Sequence, residues 1–316
     1  MFCTSIIPTV GRVTLERAVQ SVLNQNFIND DYEIIVVNDS GSPLPYADWQ
    51  LSPLVRVVDT DHRERCVARN VGAALAKGQY LHFLDDDDWL LPGALNIFWK
   101  FSHEYRDCAW LYGGTILYNR KGEHLIHLIH KLRSNCFAQV MAGEWVPLQA
   151  SLINRVSFHK VGGFNPLIAG NEDIDLARKM ALFFDFQGLD DLVAGVEVGQ
   201  EGSTTNQVTI RFEGQWTREL IINEAGTYKR MCTSVSNNYW RGRIVRVYLT
   251  SSIWNLLRGR FLTAISRMFY GITALLKFAF TSLFSRDFWR AVTRPYESEA
   301  FSRGQEERRK IAQTVE

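Results

Sequence analysis

The chain has 316 residues, a net charge near +1 and 46% hydrophobic residues. That content supplies a sizeable core in one large or two smaller domains and excludes a disordered chain, and no global field selects nucleic acid or an acidic partner. Five scattered cysteines (Cys3, Cys66, Cys108, Cys136 and Cys232) without a C-x-x-C pair exclude a zinc or disulfide framework and fit free thiols in a reducing cytoplasm.

Met1 runs into "FCTSIIPTV" without a basic n-region or a small-residue cleavage site, so no signal peptide is expected. "FCTSIIP" reads as a strand stopped near Pro8. "TLERAVQSVLNQ" (14–25) places Leu15, Ala18, Val19, Val22 and Leu23 on one helical stripe. "YEIIVVNDSG" (32–41) and "VRVVDT" (55–60) read as strands. "CVARNVGAALAKG" (66–78) reads as a helix closed by a glycine, and "QYLHFLDDDD" as another strand. The pattern β-α-β-β-α-β, with unbroken apolar strands, predicts a mostly parallel sheet covered on both faces. Open sheets of this kind bind ligands at the carboxyl ends of their strands, where "NDSG" and "DDDD" both fall.

Four successive aspartates are a cluster of like charges that needs a reason. On an extended chain Asp85 and Asp87 share a face while Asp86 and Asp88 point elsewhere. Two converging carboxylates suit Mg²⁺ or Mn²⁺ held jointly with substrate phosphates. An EF-hand is excluded by Leu90 where its glycine would stand. The plainer reading is a solvated acidic turn with Asp88 as N-cap of the next helix, and Asp88 by itself reads equally as a cap or as a functional group. Neither G-x-x-x-x-G-K-[ST] nor G-x-G-x-x-G occurs, which argues against a P-loop enzyme and a nicotinamide oxidoreductase. A nucleotide would then rest on other groups, and Asp39 at the end of the second strand is placed to accept from a base or ribose.

Beyond Pro92, "GALNIFWKFSHEY" predicts a helix, and "AWLYGGTILYN" with "EHLIHLIHKL" a strand pair or a strand plus helix. "NEDIDLARKMALF" predicts an amphipathic helix opening with three acids, which suit the positive end of its dipole. His124, His127 and His130 recur every third residue. With no fourth ligand nearby they read as a solvated or packed face rather than a metal site.

"IIPTVGR…LERAVQSVLNQ", "EIIVVNDSG", "ARNVGAALAKGQYLHFLDDDDWLLPGAL" and "VGGFNPLIAGNEDIDLARKM", in this order over residues 2–205, resemble the successive signatures of glycosyltransferase family 2. The resemblance implies a GT-A fold (α/β, Rossmann-like) and an inverting transferase using a nucleotide-diphospho-sugar, with UDP preferred over GDP or dTDP. It implies Pro8 and Thr9 in the first nucleotide loop and Asp39 at the base. It places Arg69, with Arg65 as a neighbouring candidate, near the nucleotide. Asp85 and Asp87 become the DXD pair on ribose and on the metal-bound diphosphate, and Asp173, preceded by Glu172, the catalytic base. Asp175, two residues on and so facing away on a helix, is expected to be structural or acceptor-side. Three departures stand out. The loop reads "PTVGR" without its aromatic, Asn38 replaces one acid of the second strand end, and no late metal-binding histidine is visible in "VGQEGSTTNQ" (198–207), so that either Gln200 or Glu201 substitutes or the metal has fewer protein ligands. The QxxRW motif of processive synthases is absent, so single addition is expected.

The expected organisation is a catalytic domain at 1–225, split into a nucleotide half (1–115) and an acceptor half (116–225), followed by a helical arm and polar tail at 226–316. Trp145, Gln149 and His159 are nominated for the acceptor pocket with no motif behind them. From Arg241 to Arg294 there are ten Lys/Arg and one acid, Asp287. Phe261, Ile265, Phe269, Ile272, Leu276, Ala279 and Leu283 line one stripe of that arm. Lys277 interrupts it, so an interfacial helix on an anionic membrane (residues 244–290) is expected rather than a span. A helical layer packed on the catalytic domain, or a dimer contact, is the alternative. The expected partners are thus a nucleotide-sugar donor, a glycan or lipid-linked acceptor and a membrane surface, with no nucleic acid, at the cytoplasmic face. The rival function is a catalytically degenerate nucleotide-sugar-binding module.

Overall fold

The structure, a computed structural model, describes residues 1–27, 31–61, 64–168, 170–198, 207–235 and 237–296, those of 207–213 by backbone alone. Gln200, Glu201 and the tail beyond 296 lie outside the described residues.

The apolar runs become strands in the predicted order: β1 (Cys3–Thr9), β2 (Tyr32–Asn38), β3 (Val55–Asp59) and β4 (Tyr80–Phe83). Helices α1 (Leu15–Leu23) and α2 (Arg65–Leu75) connect them. These strands lie in the order β3-β2-β1-β4, all parallel. The chain therefore reverses its direction of travel across the sheet between β1 and β4, which makes their carboxyl ends the switch point of the sheet.

Side chains along each strand alternate between two separate cores. Ile6, Ile35, Val37, Leu81 and Phe83 face one, and Ile7, Ile34, Val36, Tyr80 and Leu84 the other. Both faces are covered, which is why the strands read as continuous apolar runs. Close backbone approach fixes the layers. A Cβ on Gly78 would lie 2.5 Å from the Cys3 carbonyl carbon and the Thr4 nitrogen.

The second half departs from the parallel expectation. After β5 (Trp89–Leu90), α3 (Ala94–Glu104) leads to β6 (Trp110–Tyr118), β7 (His124–Leu128) and β8 (Arg133–Ser134). Next come α4 (Phe137–Ala142), β9 (Ser151–Asn154), α5 (Arg155–Lys160), α6 (Glu172–Phe183) and β10 (Phe186–Glu197). β9 is antiparallel to both β4 and β6, and β5, β7 and β8 pair antiparallel as well. The sheet is mixed: β6 and β7 are joined by a short connection, as an antiparallel pair allows, while the other antiparallel pairs bring together strands distant in the chain. "EHLIH" is a strand on β6, not a helix, so the triplet histidine spacing makes no ligand face. His124 and His127 stack at 4.5 Å, while His130 is buried beside Glu144 and Trp145.

The C-terminal arm is α7 (Gln207–Ile222), α8 (Thr227–Thr233), α9 (Asn238–Leu256), α10 (Phe261–Ser282) and α11 (Arg286–Thr293). Its α9 is not a surface element. Ile244, Val245, Val247 and Tyr248 belong to the same core as Phe83 and Trp110, joined by Ala274 and Phe278 of α10 and Phe288 of α11. Gly242 lets α9 and α11 meet, since a Cβ there would stand 2.3 Å from the Phe288 carbonyl oxygen. The expected membrane segment 244–290 is thus corrected for α9. The alternative, a helical layer on the catalytic domain, describes that helix.

Candidate functional site

β4 ends at Phe83, and the four aspartates form a turn in which the Asp88 N–H donates to the Asp85 carbonyl at 3.1 Å. Extended-chain alternation therefore does not govern them. Carboxylate oxygens of Asp85, Asp87 and Asp88 lie within 4.8 Å of one another. Asp86 alone turns away, accepting from Thr9 Oγ1 at 2.6 Å and Arg12 Nη1 at 2.9 Å. The expectation that Asp88 points elsewhere is overturned because the turn swings it back. It is also no helix cap: α3 begins at Ala94 behind Gly93, and Asp88 Oδ1 accepts from the Glu197 N–H at 3.3 Å.

The Thr9–Asp86 bond joins the ends of β1 and β4 across the switch point. Below it, His82 pins the same junction. Its Nε2 faces the Gln149 carbonyl at 2.9 Å and so carries the hydrogen, leaving Nδ1 to accept from Ser5 Oγ at 3.0 Å. Burial pushes His82 down to about 4, so it is a neutral structural group.

Four arginines frame the acids. Arg69 on α2 is buried and bridges two carboxylates, Asp85 Oδ1 at 2.5 Å and Glu172 Oε1 at 2.9 Å. Arg65, one helical turn earlier, also reaches Glu172 at 3.3 Å. Arg12 spans Asp86 and Asp87 at 2.9 and 3.2 Å. Arg17 on α1 donates to the Asp87 carbonyl at 2.6 Å, pairs with Glu197 at 3.0 Å and lies 4.3 Å above the Trp89 ring. Arg69 thereby ties the aspartate turn to the first turn of α6. There Asp173 follows Glu172 and accepts the Ile174 N–H at 2.8 Å. Asn171, the N-cap, sits in the left-handed region at φ 62°, which asparagine tolerates.

These surroundings divide the carboxylates. Burial works against the charge on Asp85, but Arg69, then Arg65 and Arg12, outweigh it and hold the group below its usual range. Burial, then the Asp85 charge, pushes Asp87 up to about 6. Asp88 is raised further by burial and by both neighbours, Asp85 and Asp87. Asp173 is raised by burial and then by Glu172, although Arg69 opposes this. For Arg69 itself burial disfavours the charge, and Asp85 and Glu172 more than compensate, so it stays cationic. The turn thus holds an excess of negative charge and hard oxygen donors, a set that suits a divalent cation.

The other nominated residues divide. Thr9 belongs to the site. Pro8 is buried within β1 beside Val37. Asp39 is buried at the end of β2 and accepts from Thr60 Oγ1 at 2.7 Å. Asn38 holds its own loop through Ser42 and Asp59, both at 2.7 Å, which gives the replaced acid a structural task. Asp175 is buried against Lys179 at 3.1 Å, the structural one of its two expected roles. Trp145 packs edge-on to His130, and the Gln149 carbonyl receives His82. His159 is exposed on α5, a helix that begins beside Gly78 near the amino end of β4. None of these three contacts brings its residue to the acids. Sequence reasoning left Asp88 between a cap and a functional role, and it missed Arg12, Arg17 and Glu197. Only Arg12 carried a signal, as the cation closing the "PTVGR" loop.

Residues 4–160 match the family model described as glycosyl transferase family 2. Among curated relatives, the Staphylococcus aureus poly(ribitol-phosphate) beta-N-acetylglucosaminyltransferase TarP is 34% identical over 106 residues, 31% of this chain and 32% of that protein. A Campylobacter jejuni GalNAc(5)-diNAcBac-PP-undecaprenol beta-1,3-glucosyltransferase is 33% identical over 120 residues, 33% and 37% of the respective chains. These matches span about a third of the relatives' own lengths. Among solved structures, S. aureus TarS 1–349 in complex with UDP-GlcNAc superposes with a TM-score of 0.56 at 13% identity, covering 89% of this chain and 91% of that one. At that identity the likeness establishes the fold alone, GT-A with added C-terminal helices.

Proposed function

We propose that this chain, which belongs to glycosyltransferase family 2, transfers a sugar from a nucleotide-diphospho-sugar to a hydroxyl of a glycan or lipid-linked acceptor, with inversion. The observation that carries the reading is the Arg69 bridge. It joins the carboxylate cluster at the switch point to the Glu172–Asp173 turn, so a donor site and a candidate base share one rigid unit. UDP is the preferred nucleotide, supported by the UDP-GlcNAc complex of the fold neighbour. The acceptor class draws on the printed activities of the relatives, one on poly(ribitol-phosphate) and one on an undecaprenol-linked glycan.

Asp85, Asp87 and Asp88 would hold Mn²⁺ or Mg²⁺, which neutralises charge on a leaving diphosphate. The rest is the work of side chains. Asp173, raised above the ordinary carboxylate range, takes the acceptor proton as the hydroxyl oxygen bonds to the anomeric carbon. The anomeric carbon–oxygen bond to the diphosphate breaks, and its electron pair leaves with the nucleotide. Glu172, held by Arg65 and Arg69, positions Asp173. Arg12, once released from Asp87, is a ready cation for a phosphate. A lipid-linked acceptor would place the enzyme at the cytoplasmic face of a membrane.

The test is a thermal-shift panel of UDP, GDP, CDP and dTDP with and without Mn²⁺ on wild type, Asp87→Asn and Asp173→Asn. A ligand that binds only the folded state raises its melting temperature. The expected result is a metal-dependent UDP shift in wild type and Asp173→Asn, lost in Asp87→Asn, with turnover lost in both variants. No shift from any nucleotide would overturn the transferase reading.

A further inference from the structure

The basic arm divides into an inside and an outside that its sequence does not separate. Of the ten cations between Arg241 and Arg294, four are bound to a different element of the fold. Arg243 donates to the Ala291, Arg294 and Ala142 carbonyls, and Arg246 to the Val292 carbonyl. Arg241 donates to Thr281 Oγ1, and Arg267, buried, to Asn223. The remaining six, Arg258, Arg260, Lys277, Arg286, Arg290 and Arg294, are exposed, as is the single acid Asp287; Arg258 also donates to the nearby Trp254 carbonyl at 3.3 Å.

The same division runs along α10. Its 22 residues extend about 33 Å at the usual helical rise. One face packs on α9 through Ala264, Gly271, Ala274 and Phe278. A Cβ on Gly271 would lie 3.1 Å from Leu249, so small residues set this contact. The other face carries Phe261, Ile265, Phe269 and Leu276, which are 62, 66, 66 and 64% exposed. Ile272 and Phe280 continue it, Phe280 without cover. By length and composition α10 could cross a membrane. A crossing helix packs on other membrane-embedded segments, however, whereas α10 has one face fixed to α9, which lies in the core of the catalytic domain, and an arginine of that face bound to Asn223.

We infer that the outer face of α10 lies in the plane of an anionic lipid bilayer, flanked by the six exposed cations. Charge complementarity selects this occupant. A large exposed apolar face rimmed by polar residues marks an interaction surface. Pairing two copies of it would bring twelve cations together against two acids, whereas anionic headgroups neutralise them. An amphipathic helix with this composition sits at the headgroup boundary with its apolar side inward. The inference takes from the proposed function only that the acceptor is membrane-borne. The docking face itself is α10 and its flanks, narrower than residues 244–290.

The test is flotation of the full chain with vesicles of phosphatidylcholine alone and of phosphatidylcholine with phosphatidylglycerol, at low and high salt. Two double variants are compared, Ile265→Ser/Phe269→Ser and Arg258→Gln/Arg260→Gln. Wild type is expected to float with anionic vesicles and to be released by salt. Loss of two cations lowers partitioning by roughly twenty-five-fold, about fivefold for each charge. The serine pair abolishes binding. All substituted side chains are exposed, so melting should be unchanged; if the serine pair fails to fold, the arginine pair and the salt dependence decide. Equal recovery without vesicles, or binding indifferent to both variants, would overturn the inference. So would concentration-dependent dimerisation in sedimentation velocity that the serine pair removes. In each case an intact Mn²⁺-dependent UDP shift would leave the transferase reading standing. Vesicle binding without any nucleotide shift would instead remove the transferase reading and leave the surface.

Discussion

Arg69→Ala removes the cation that links the two halves of the site, and the structure sets the size of the loss. The Arg69 and Glu172 side chains are 3 and 6% exposed and meet at 2.9 Å. Breaking a buried pair from one side costs about 3–5 kcal/mol, because the remaining charge is stranded. The Asp85 bond adds under about 1 kcal/mol, since the Asp85 side chain is 44% exposed and solvent screens it. Arg65 still reaches Glu172 at 3.3 Å, which favours the lower end, about 3 kcal/mol in all. For a chain of this size that corresponds to a fall in melting temperature of about 6 °C or somewhat more. Circular dichroism melts and urea titrations at neutral pH read it directly. Because the loss comes from a stranded carboxylate, Glu172→Gln in the Arg69→Ala background should recover at least about 1 kcal/mol, although Glu172→Gln alone destabilises. A single variant that melts within about 1 °C of wild type would refute the reasoning. So would a double-mutant coupling below about 0.5 kcal/mol.

The Asp87 carboxyl, raised to about 6, binds its proton more tightly folded than unfolded, so its ionisation weakens the metal-free fold as pH rises from about 4 to 6. Asp87→Asn should therefore raise the melting temperature at pH 7.5 by about 2 °C, or roughly 1 kcal/mol after allowing for the lost Arg12 bond. The same variant should abolish stabilisation by Mn²⁺, and a fall in metal-free melting temperature would contradict the assignment. If Asp173 is the base, kcat should fall on the acidic side of a midpoint that lies above the ordinary carboxylate range, because protonation removes the acceptor for the hydroxyl proton. A rate flat down to pH 4 would remove it from that role. Gly78→Ala places a methyl 2.5 Å from β1 backbone atoms and should cost about 1–3 kcal/mol or more in urea unfolding. A neutral effect would mean that the α2–β4 connection gives way against β1 more easily than its spacing implies.

Much of the first half was legible because its signals are local. Unbroken apolar runs identified strands buried on both faces, and "NDSG" and "DDDD" marked their carboxyl ends. The place of Asp175 on a helix left it structural or acceptor-side, and its buried pairing with Lys179 gives it the structural task. The errors arose where a local rule met a tertiary constraint. Strand alternation put Asp88 away from Asp85 and Asp87, but the chain leaves the strand at Phe83 and a hydrogen-bonded turn gathers all three. "EHLIHLIHKL" has both strand and helix periods, and pairing with β6 decided between them.

The sequence by itself determined the α/β character, the rim of the sheet as the site, and the residue types able to do carboxylate chemistry there. These follow from hydrophobic period and from charge, which are properties of neighbouring residues. Only the tertiary structure decided that Arg69 bridges Asp85 to Glu172, residues 16 and 103 positions away along the chain. It also decided which cations of the C-terminal arm face solvent and which are bound to another element of the fold. Such pairings arise from where the layers of the fold bring distant segments together. Burial then sets whether each charge is compensated, and no window of sequence contains that information.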